Sequence, residues 1–387
     1  MSNVGILIPG VSGVLGSCLT VGLWAARHRP NLDLKLGMIT EIEPARGLPL
    51  PDVANFVVSG WDLTRSDPGT ICRTDRVFSD EHILASLHEV PAPNTFSPII
   101  LPTDYAAVRN NVSPTHTSWQ KAIDQVQLDI EDFRRRENVS EVVVLNLSSP
   151  HRNAAAHILP GELDRAVKNN DPAVSSSVLY CLAAMRSGCS YVDFTPTDTL
   201  ELPDVLEEAA KHGAPVAGRD GSTGQTLTKS VLAHMFELRH LPIQGWYSTN
   251  ILGNHDGLVL ADPEFSETKV ADKKEVLDLI APGKPHLVGI RYYPPRRDCK
   301  EAWDCVDFAG WMGEVMSVGI NWIGRDSVLA APLLIDLSRL MVLCQKRGLV
   351  GLQSDLGVFF KHPLGTSERR YFYLFEDFRR FCESLSK

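Results

Sequence analysis

The strongest constraint on this chain is set near its N-terminus. Val4-Gly5-Ile6-Leu7-Ile8 is an almost wholly apolar run, the pattern of a strand buried on both faces. It leads into Gly10-Val11-Ser12-Gly13-Val14-Leu15-Gly16 and then into a helical pattern over residues 15–26. A buried strand, a glycine turn and a helix begin an α/β unit. Glycines three residues apart at this place permit a tight turn and a close approach of the backbone to a pyrophosphate, whose charge rests at the helix N-terminus. A turn that serves packing alone has the same composition, but its place directly after the first buried strand favours dinucleotide binding. The candidate cradle is Gly10, Val11, Ser12, Gly13, Val14, Leu15 and Gly16.

The pattern downstream extends this unit. Apolar runs predict strands at 34–40, 56–59, 141–146, 190–193 and 214–217, and helical patterns occupy 119–137, 174–188 and 203–211. Such alternation predicts an α/β fold with a Rossmann-like, doubly wound, mostly parallel sheet. Between about 65 and 125, Pro91, Pro93, Pro98 and Pro102 argue for a peripheral loop. After residue 240 the text changes: 288–293 has strand character, 303–324 is rich in aromatics and glycine, and 327–348 is a long apolar helical pattern. The expected organisation is a nucleotide-binding domain over 1–240, an inserted α+β domain over 241–338, and a segment 339–387 returning to the first domain.

Composition narrows the function classes. With 387 residues and 44% hydrophobic content the chain can bury a sizeable core. Its 38 basic and 47 acidic residues give a net charge of −9, so a nucleic-acid partner would work against the overall field. Its uninterrupted apolar runs fall short of the ~18–20 residues of a bilayer span, and the opening MSNVGILIPG lacks a basic leader. A soluble, cytoplasmic protein without membrane or nucleic-acid partners is expected. The eight cysteines are scattered without a CxxC pair or zinc spacing, which predicts free thiols and no metal site.

Polar residues at strand ends supply the candidate chemistry. Glu41, after Gly37-Met38-Ile39-Thr40, and Asp62, after Ser59-Gly60-Trp61, are carboxylates suited to ribose hydroxyls; a solvent-facing turn is the plainer reading of either. Asn146 and Ser148 stand where open α/β sheets bind ligands. Asp220-Gly221-Ser222-Thr223-Gly224-Gln225-Thr226 combines glycines and hydroxyls before a helix, which suits an anion or simply a well-capped helix. Asn250-Ile251-Leu252-Gly253-Asn254-His255-Asp256-Gly257 is followed by Lys269 and Lys273, four residues apart. Two such cations can hold phosphate and stabilise an enolate, or they are surface lysines with Asp272 as a partner. Asp298-Cys299-Lys300 and Gly324-Arg325-Asp326-Ser327 place charges beside segments read as buried; a loop lysine and a helix cap are the ordinary alternatives.

This ordered set resembles the myo-inositol-1-phosphate synthase family, also called inositol-3-phosphate synthase. The resemblance runs from the glycine turn through Cys189-Ser190-Tyr191 and Thr223-Gly224-Gln225-Thr226 to Asp326-Ser327-Val328-Leu329-Ala330-Ala331-Pro332. It implies an NAD domain, an α+β catalytic and oligomerisation domain, and a homotetramer. Asp220, Lys269, Lys273, Lys300 and Asp326 match catalytic positions. Thr223, Gly224, Gln225, Thr226, Leu252 and Asn254 match the substrate-phosphate neighbourhood, and Asn250 and Asp256 the polar frame. The implied reaction oxidises C5 of D-glucose 6-phosphate with tightly bound NAD, enolises at C6, closes the ring by aldol addition to C1 and returns the hydride, giving 1D-myo-inositol 3-phosphate.

Two departures matter. The usual Asn-Gly-Ser-Pro-Gln-Asn segment becomes Asp193-Phe194-Thr195-Pro196-Thr197-Asp198, and the family's C-terminal lysine corresponds either to Arg370 or to Lys361. They leave room for a related NAD-dependent cyclase, epimerase or dehydrogenase acting on another phosphorylated sugar. A silent NAD-binding scaffold is the other class, and the joint presence of Lys269, Lys273, Lys300 and Asp326 argues against it.

Overall fold

A computed structural model of the chain describes residues 3–149, 157–259, 261 and 281–386. Among the described residues two sheets form. The first contains β1 (Asn3–Pro9), β2 (Phe56–Trp61), β3 (Thr95–Phe96), β4 (Val139–Asn146), β5 (Ser190–Asp193) and β6 (Pro215–Gly218). The second contains β7 (Ile243–Leu252), β8 (His286–Tyr292), β9 (Cys299–Ala309) and β10 (Val315–Arg325). A last short strand, β11 (Gly351–Leu352), returns to the edge of the first sheet beside β6.

The first sheet has the order β11-β6-β5-β4-β1-β2-β3, with every neighbouring pair parallel. Chain direction across the sheet reverses between β1 and β4, so a crevice opens beyond the C-terminal ends of those strands. The continuous apolar run of β1 is explained by its two covered faces. Ile6 and Ile8 point into a core shared with Leu19 of α1 (Val14–His28) and with the late helix, whereas Leu7 points into the opposite core with Ile123 and Ile130. That opposite layer holds α2 (Trp119–Glu137), α3 (Ser176–Arg186) and α4 (Pro203–Lys211). Ser118 and Ser175 cap α2 and α3 by accepting main-chain amides, and Pro203 starts α4 where a missing N–H costs nothing.

The second sheet has the order β10-β9-β7-β8, antiparallel except for β7 beside β8. Its inner face is covered by α5 (Gly224–Leu238), through Phe236 against Trp246 and Val306. From β10 the chain passes directly into α6 (Asp326–Lys346). By length and composition α6 is apolar enough to cross a bilayer, but Leu334, Leu337, Leu340 and Met341 are buried beside α1 in the core of the first sheet. The C-terminal helix α7 (Tyr371–Leu385) closes the same core with Phe378.

Two expectations are corrected. Residues 34–40 do not form a strand: Gly37 takes a positive φ of +83°, and Ile39–Glu41 is a 3-10 turn. The amides of Ile39 and Thr40, which a strand would give to a neighbour, are taken instead by the carboxylate of Asp336 on α6, at 2.6 and 3.4 Å. The place beside β1 belongs to Phe56–Trp61. The proline-rich stretch is also more ordered than a loop, carrying helices Pro68–Thr74 and Glu81–Ser86 and the edge strand β3.

Candidate active site

Two recesses meet at the glycine turn. The larger, a cavity of about 370 Å³, lies in the crevice and is lined by Gly10, Ser12, Gly13 and Val14, by Asp62 and Thr64 beyond β2, by Ser148 beyond β4, and by Ser176 and Tyr180 of α3. The three glycines have separate reasons. Gly10 needs φ +89°, and a Cβ there would meet the Leu147 carbonyl at 2.9 Å. Gly16 fits against the Val11 carbonyl with no room for a side chain, and Val11 itself is core. At Gly13, the N-cap of α1, a Cβ would meet only the Gly10 carbonyl, at 3.2 Å. Gly13 thus keeps open space above the unshared amides of a helix start, a cradle that fits a dinucleotide's pyrophosphate.

Of the two candidate ribose carboxylates, Asp62 is the one brought to this cavity, which Asp75 and Asp104 also line. It accepts the Ser12 amide at 2.8 Å, so it also steadies the turn. Glu41 goes elsewhere: it pairs with Arg339 of α6 at 2.9 Å and with Lys35 at 3.1 Å, and these cations hold its carboxyl below the usual range against the opposing effect of burial. Asn146 lies fully buried behind the cavity wall and supports Ser148, whose hydroxyl donates to its Oδ1 at 2.7 Å.

The second recess, of about 130 Å³, is lined by Leu15, Asp220, Thr223, Leu252, Asn254, Lys300, Asp326 and Lys361, and also by Phe194, Ile290, Asp298, Ser327 and other neighbours. Residues from eight separate stretches of sequence therefore converge. Lys300 Nζ lies 2.8 Å from Asp326 Oδ2, and the Thr223 hydroxyl donates to Asp326 Oδ1 at 3.3 Å. Lys361 Nζ lies 2.7 Å from Asp220 Oδ1. Both ammonium groups are mostly buried and each has a carboxylate, which offsets the cost of taking them from water. Between them α5 begins at Gly224 with Thr223 as an N-cap that makes no side-chain cap, leaving the first-turn amides for an anion. Gly224 lies against the Trp322 ring of β10, where a side chain would clash.

Gln225 is placed differently from the expectation. Its side chain turns away from the recess, and Nε2 donates to Asp304 at 2.7 Å and to Ser248 at 3.0 Å. The buried Lys229 ammonium joins this cluster at 2.7 Å from Ser248 Oγ and 3.3 Å from Asp304. Gln225 therefore anchors α5 to the second sheet, and only its backbone is available to a ligand there. Thr226 sits on the first turn of α5 outside the recess lining. Asn250 is fully buried in β7, with no partner for either amide atom among the described residues. Arg370 does not line the recess: Glu368 and Glu237 hold it on the surface, whereas Lys361 is among the lining residues. Lys269 and Lys273 lie outside the described residues, as does the side chain of Asp256.

Asp298 was passed over in favour of its neighbour Lys300. Its Oδ1 accepts from Asn254 at 3.2 Å and from Ser327 at 2.9 Å, tying β7, β9 and α6 together under the recess. Phe194, in the altered segment 193–198, also lines the recess; its ring lies against Gly221 and forms an apolar wall. Among the described residues no group of His, Cys, Asp and Glu is arranged to hold a metal, and all eight cysteines are free.

A family model of NAD-binding proteins, described as myo-inositol-1-phosphate synthase, matches residues 4–382. The chain belongs to the myo-inositol-1-phosphate synthase family. It is 34% identical to inositol-3-phosphate synthase 1 of Bacteroides thetaiotaomicron, over 95% of this chain and 91% of that one. The human inositol-3-phosphate synthase 1 is 30% identical, over 89% of this chain and 68% of its own length. Among solved structures, the inositol-3-phosphate synthase of Caenorhabditis elegans superposes with a TM-score of 0.86 at 22% identity, covering 100% of this chain and 86% of that one. Membership of the myo-inositol-1-phosphate synthase family makes NAD the cofactor, and the open cradle at Gly13 fits it.

Proposed function

We propose that the chain converts D-glucose 6-phosphate into 1D-myo-inositol 3-phosphate by an NAD-dependent isomerising cyclisation. The observation that carries this reading is the second recess: two lysine–carboxylate pairs with mostly buried ammonium groups flank the bare N-terminus of α5, and the recess adjoins the dinucleotide turn through consecutive residues, Val14 on one side and Leu15 on the other. A phosphate placed there receives helix amides and ammonium groups, and that arrangement favours an oxyanion that develops nearby.

The division of labour follows from position. Lys300, oriented by Asp326, and Lys361, oriented by Asp220, hold negative oxygens of the substrate, and Asp326 also receives the Thr223 hydroxyl. Leu15, Phe194 and Leu252 form the apolar wall that excludes water from the sugar. Lys269 and Lys273 complete the cation set as the resemblance implies. Bound NAD supplies the hydride acceptor and afterwards the hydride donor, and is regenerated.

Cytoplasmic action and a homotetrameric assembly belong to this reading. The assembly is supported by the outer face of the second sheet, where Tyr247, Trp303 and Ile323 are about half exposed, and by the β9–β10 turn, where Trp311 is 88% exposed. An apolar surface of this kind suits a second copy of the chain. The test is incubation with NAD and a panel of sugar 6-phosphates, with the products identified by phosphorus NMR. Inositol phosphate formed without net NADH supports the assignment. Turnover of a different phosphosugar alone overturns it in favour of a related cyclase or epimerase, for which the Phe194 wall is the structural reason.

A further inference from the structure

Between the two recesses lies a carboxylate to which neither the proposed chemistry nor the resemblance gives a task. Asp193, the last residue of β5, is fully buried. Its Oδ1 accepts from the Thr195 hydroxyl at 2.7 Å, from the Thr195 amide at 3.2 Å and from Asn146 Nδ2 at 3.2 Å; its Oδ2 accepts from the Thr197 hydroxyl at 2.6 Å. These bonds fold residues 194–197 into a fixed loop.

That loop is the seat of the substrate recess. Its successive carbonyls receive the next segment of chain: Phe194 O accepts the Gly221 amide at 3.1 Å, Thr195 O accepts the Asp220 amide at 3.0 Å, and Pro196 O accepts Arg219 Nη1 at 3.1 Å. Asp220 is held there in a left-handed conformation, φ +58°, and its carboxylate in turn holds Lys361. On the other side, Asn146, which donates to Asp193, uses its Oδ1 to hold the hydroxyl and amide of Ser148 in the cofactor cavity. One buried carboxylate is thus bonded at one remove to Ser148 in the cofactor cavity, through Asn146, and at one remove to Asp220 in the substrate recess, through Thr195.

We propose that Asp193, in its ionised form, is a positioning residue that fixes the substrate recess relative to the cofactor cavity, holding Asp220 and Ser148 in mutual alignment through residues 194–197 and Asn146. The inference rests on the assignment of the two recesses made above. Its chemical basis is that a carboxylate only accepts, and all four of its neighbours are donors. Protonation turns one oxygen into a donor, so that a contact must reverse and the loop loosens. Hydride transfer demands close alignment of cofactor and sugar, so small shifts here act on the chemical step more than on binding.

The change falls within an assayable range, because burial raises the Asp193 carboxyl to about 6 against the opposing hydrogen bonds of Thr197, Thr195 and Asn146. The other titratable groups packed around it are the Cys181 thiol of α3 and the Tyr191 hydroxyl of β5, both pushed far up by burial and so neutral throughout. Arg219, engaged by Glu201, Asp198 and Asp220 are the charged groups of the adjoining loops.

The experiment compares the full-length parent with Asp193→Asn and Thr197→Val. NAD affinity, thermal midpoint, and kcat and KM for glucose 6-phosphate are measured from pH 5.5 to 8.5. In the parent, kcat falls as pH drops through the Asp193 transition. Asp193→Asn, which imitates the protonated acid and keeps its size, is expected to lose that acid limb and to lower kcat about tenfold at pH 8. NAD affinity and KM should move less than about threefold. Thr197→Val removes a donor to the charged form and is expected to shift the limb to higher pH. A folded, NAD-binding Asp193→Asn chain with the parent's kcat and acid limb overturns the inference, as does a limb unmoved in both variants. A parent that makes no inositol phosphate overturns the assigned reaction instead. Asp193 is then judged on whichever phosphosugar the parent turns over, by the same two shifts.

Discussion

Lys361 and Asp220 are 141 positions apart in sequence and are joined twice, by the 2.7 Å contact of Nζ with Oδ1 and by a 2.7 Å hydrogen bond from the Lys361 amide to the Asp220 carbonyl. The main-chain bond fixes the origin of the lysine side chain, so its ammonium group reaches the recess in one geometry. Under the proposed function Lys361→Met lowers the chemical rate by roughly 10²–10³. Arg370→Met, which breaks pairs with Glu368 and Glu237 and a stacking contact on Tyr373, all away from the recess, leaves the rate within about twofold. Single-turnover formation of inositol phosphate checks both, and a loss in Arg370→Met with Lys361→Met unaffected would return the family's C-terminal cation to Arg370.

The glycine turn makes a second pair of opposite outcomes. Gly13→Ala adds a Cβ that meets only the Gly10 carbonyl, so folding is little affected while the pyrophosphate loses its approach; NAD affinity should drop about tenfold or more. Gly16→Ala drives a Cβ into the Val11 carbonyl, so the loss appears first in the thermal midpoint. Calorimetry of the ligand-free chain and an NAD titration separate the two. A Gly13→Ala chain with parental NAD affinity contradicts the cradle.

Asp336 gives a prediction in pH. Burial pushes its carboxyl up to about 7, although Thr40, the Ile39 and Thr40 amides and Arg339 all favour the charged form. The folded chain then binds a proton more tightly than the unfolded chain, whose aspartate titrates near 4. Stability from this group is fully present below that value and is lost as pH rises through about 7. Asp336→Asn removes the dependence. The thermal midpoint of the variant relative to the parent should rise between pH 4 and pH 8 by on the order of 3 °C. A parallel pair of midpoint curves would rule out a titrating Asp336.

The exposed apolar face of the second sheet predicts a change in assembly. Tyr247→Glu combined with Trp303→Glu places two charges on neighbouring strands, β7 and β9, and should reduce the sedimentation mass to that of smaller oligomers or single chains. NAD binding, which depends on the other sheet, should persist. An unchanged mass places the interface elsewhere.

The legible parts of the sequence were those governed by local chemistry. The buried run of β1, the glycine turn and the proline at the start of α4 each declare themselves within a few residues, and β5 appears with its predicted limits. What misled was contact at long range. Residues 34–40 have strand composition, but Asp336, some 297 positions away, claims their amides. Glu41 and Asp62 look alike as ends of apolar runs, and only the position of Phe56–Trp61 in the sheet decides between them. Gln225 sits inside a motif that suggests ligand contact, yet Asp304 and Ser248 on the second sheet turn its side chain inward. Asp298 was hidden for the opposite reason: its partners Asn254 and Ser327 come from two other segments.

The course of α6 bears on how such a protein can be altered by recombination. Its first residue, Asp326, holds Lys300 in the recess, and over the following turns the same helix becomes a pillar of the core beneath the parallel sheet. A segment exchanged at residue 325 would part the recess from one of its walls and deprive the other sheet of its central support. The second sheet is therefore not a cassette that can be cut out at residue 325 and moved among nucleotide-binding scaffolds with its recess intact.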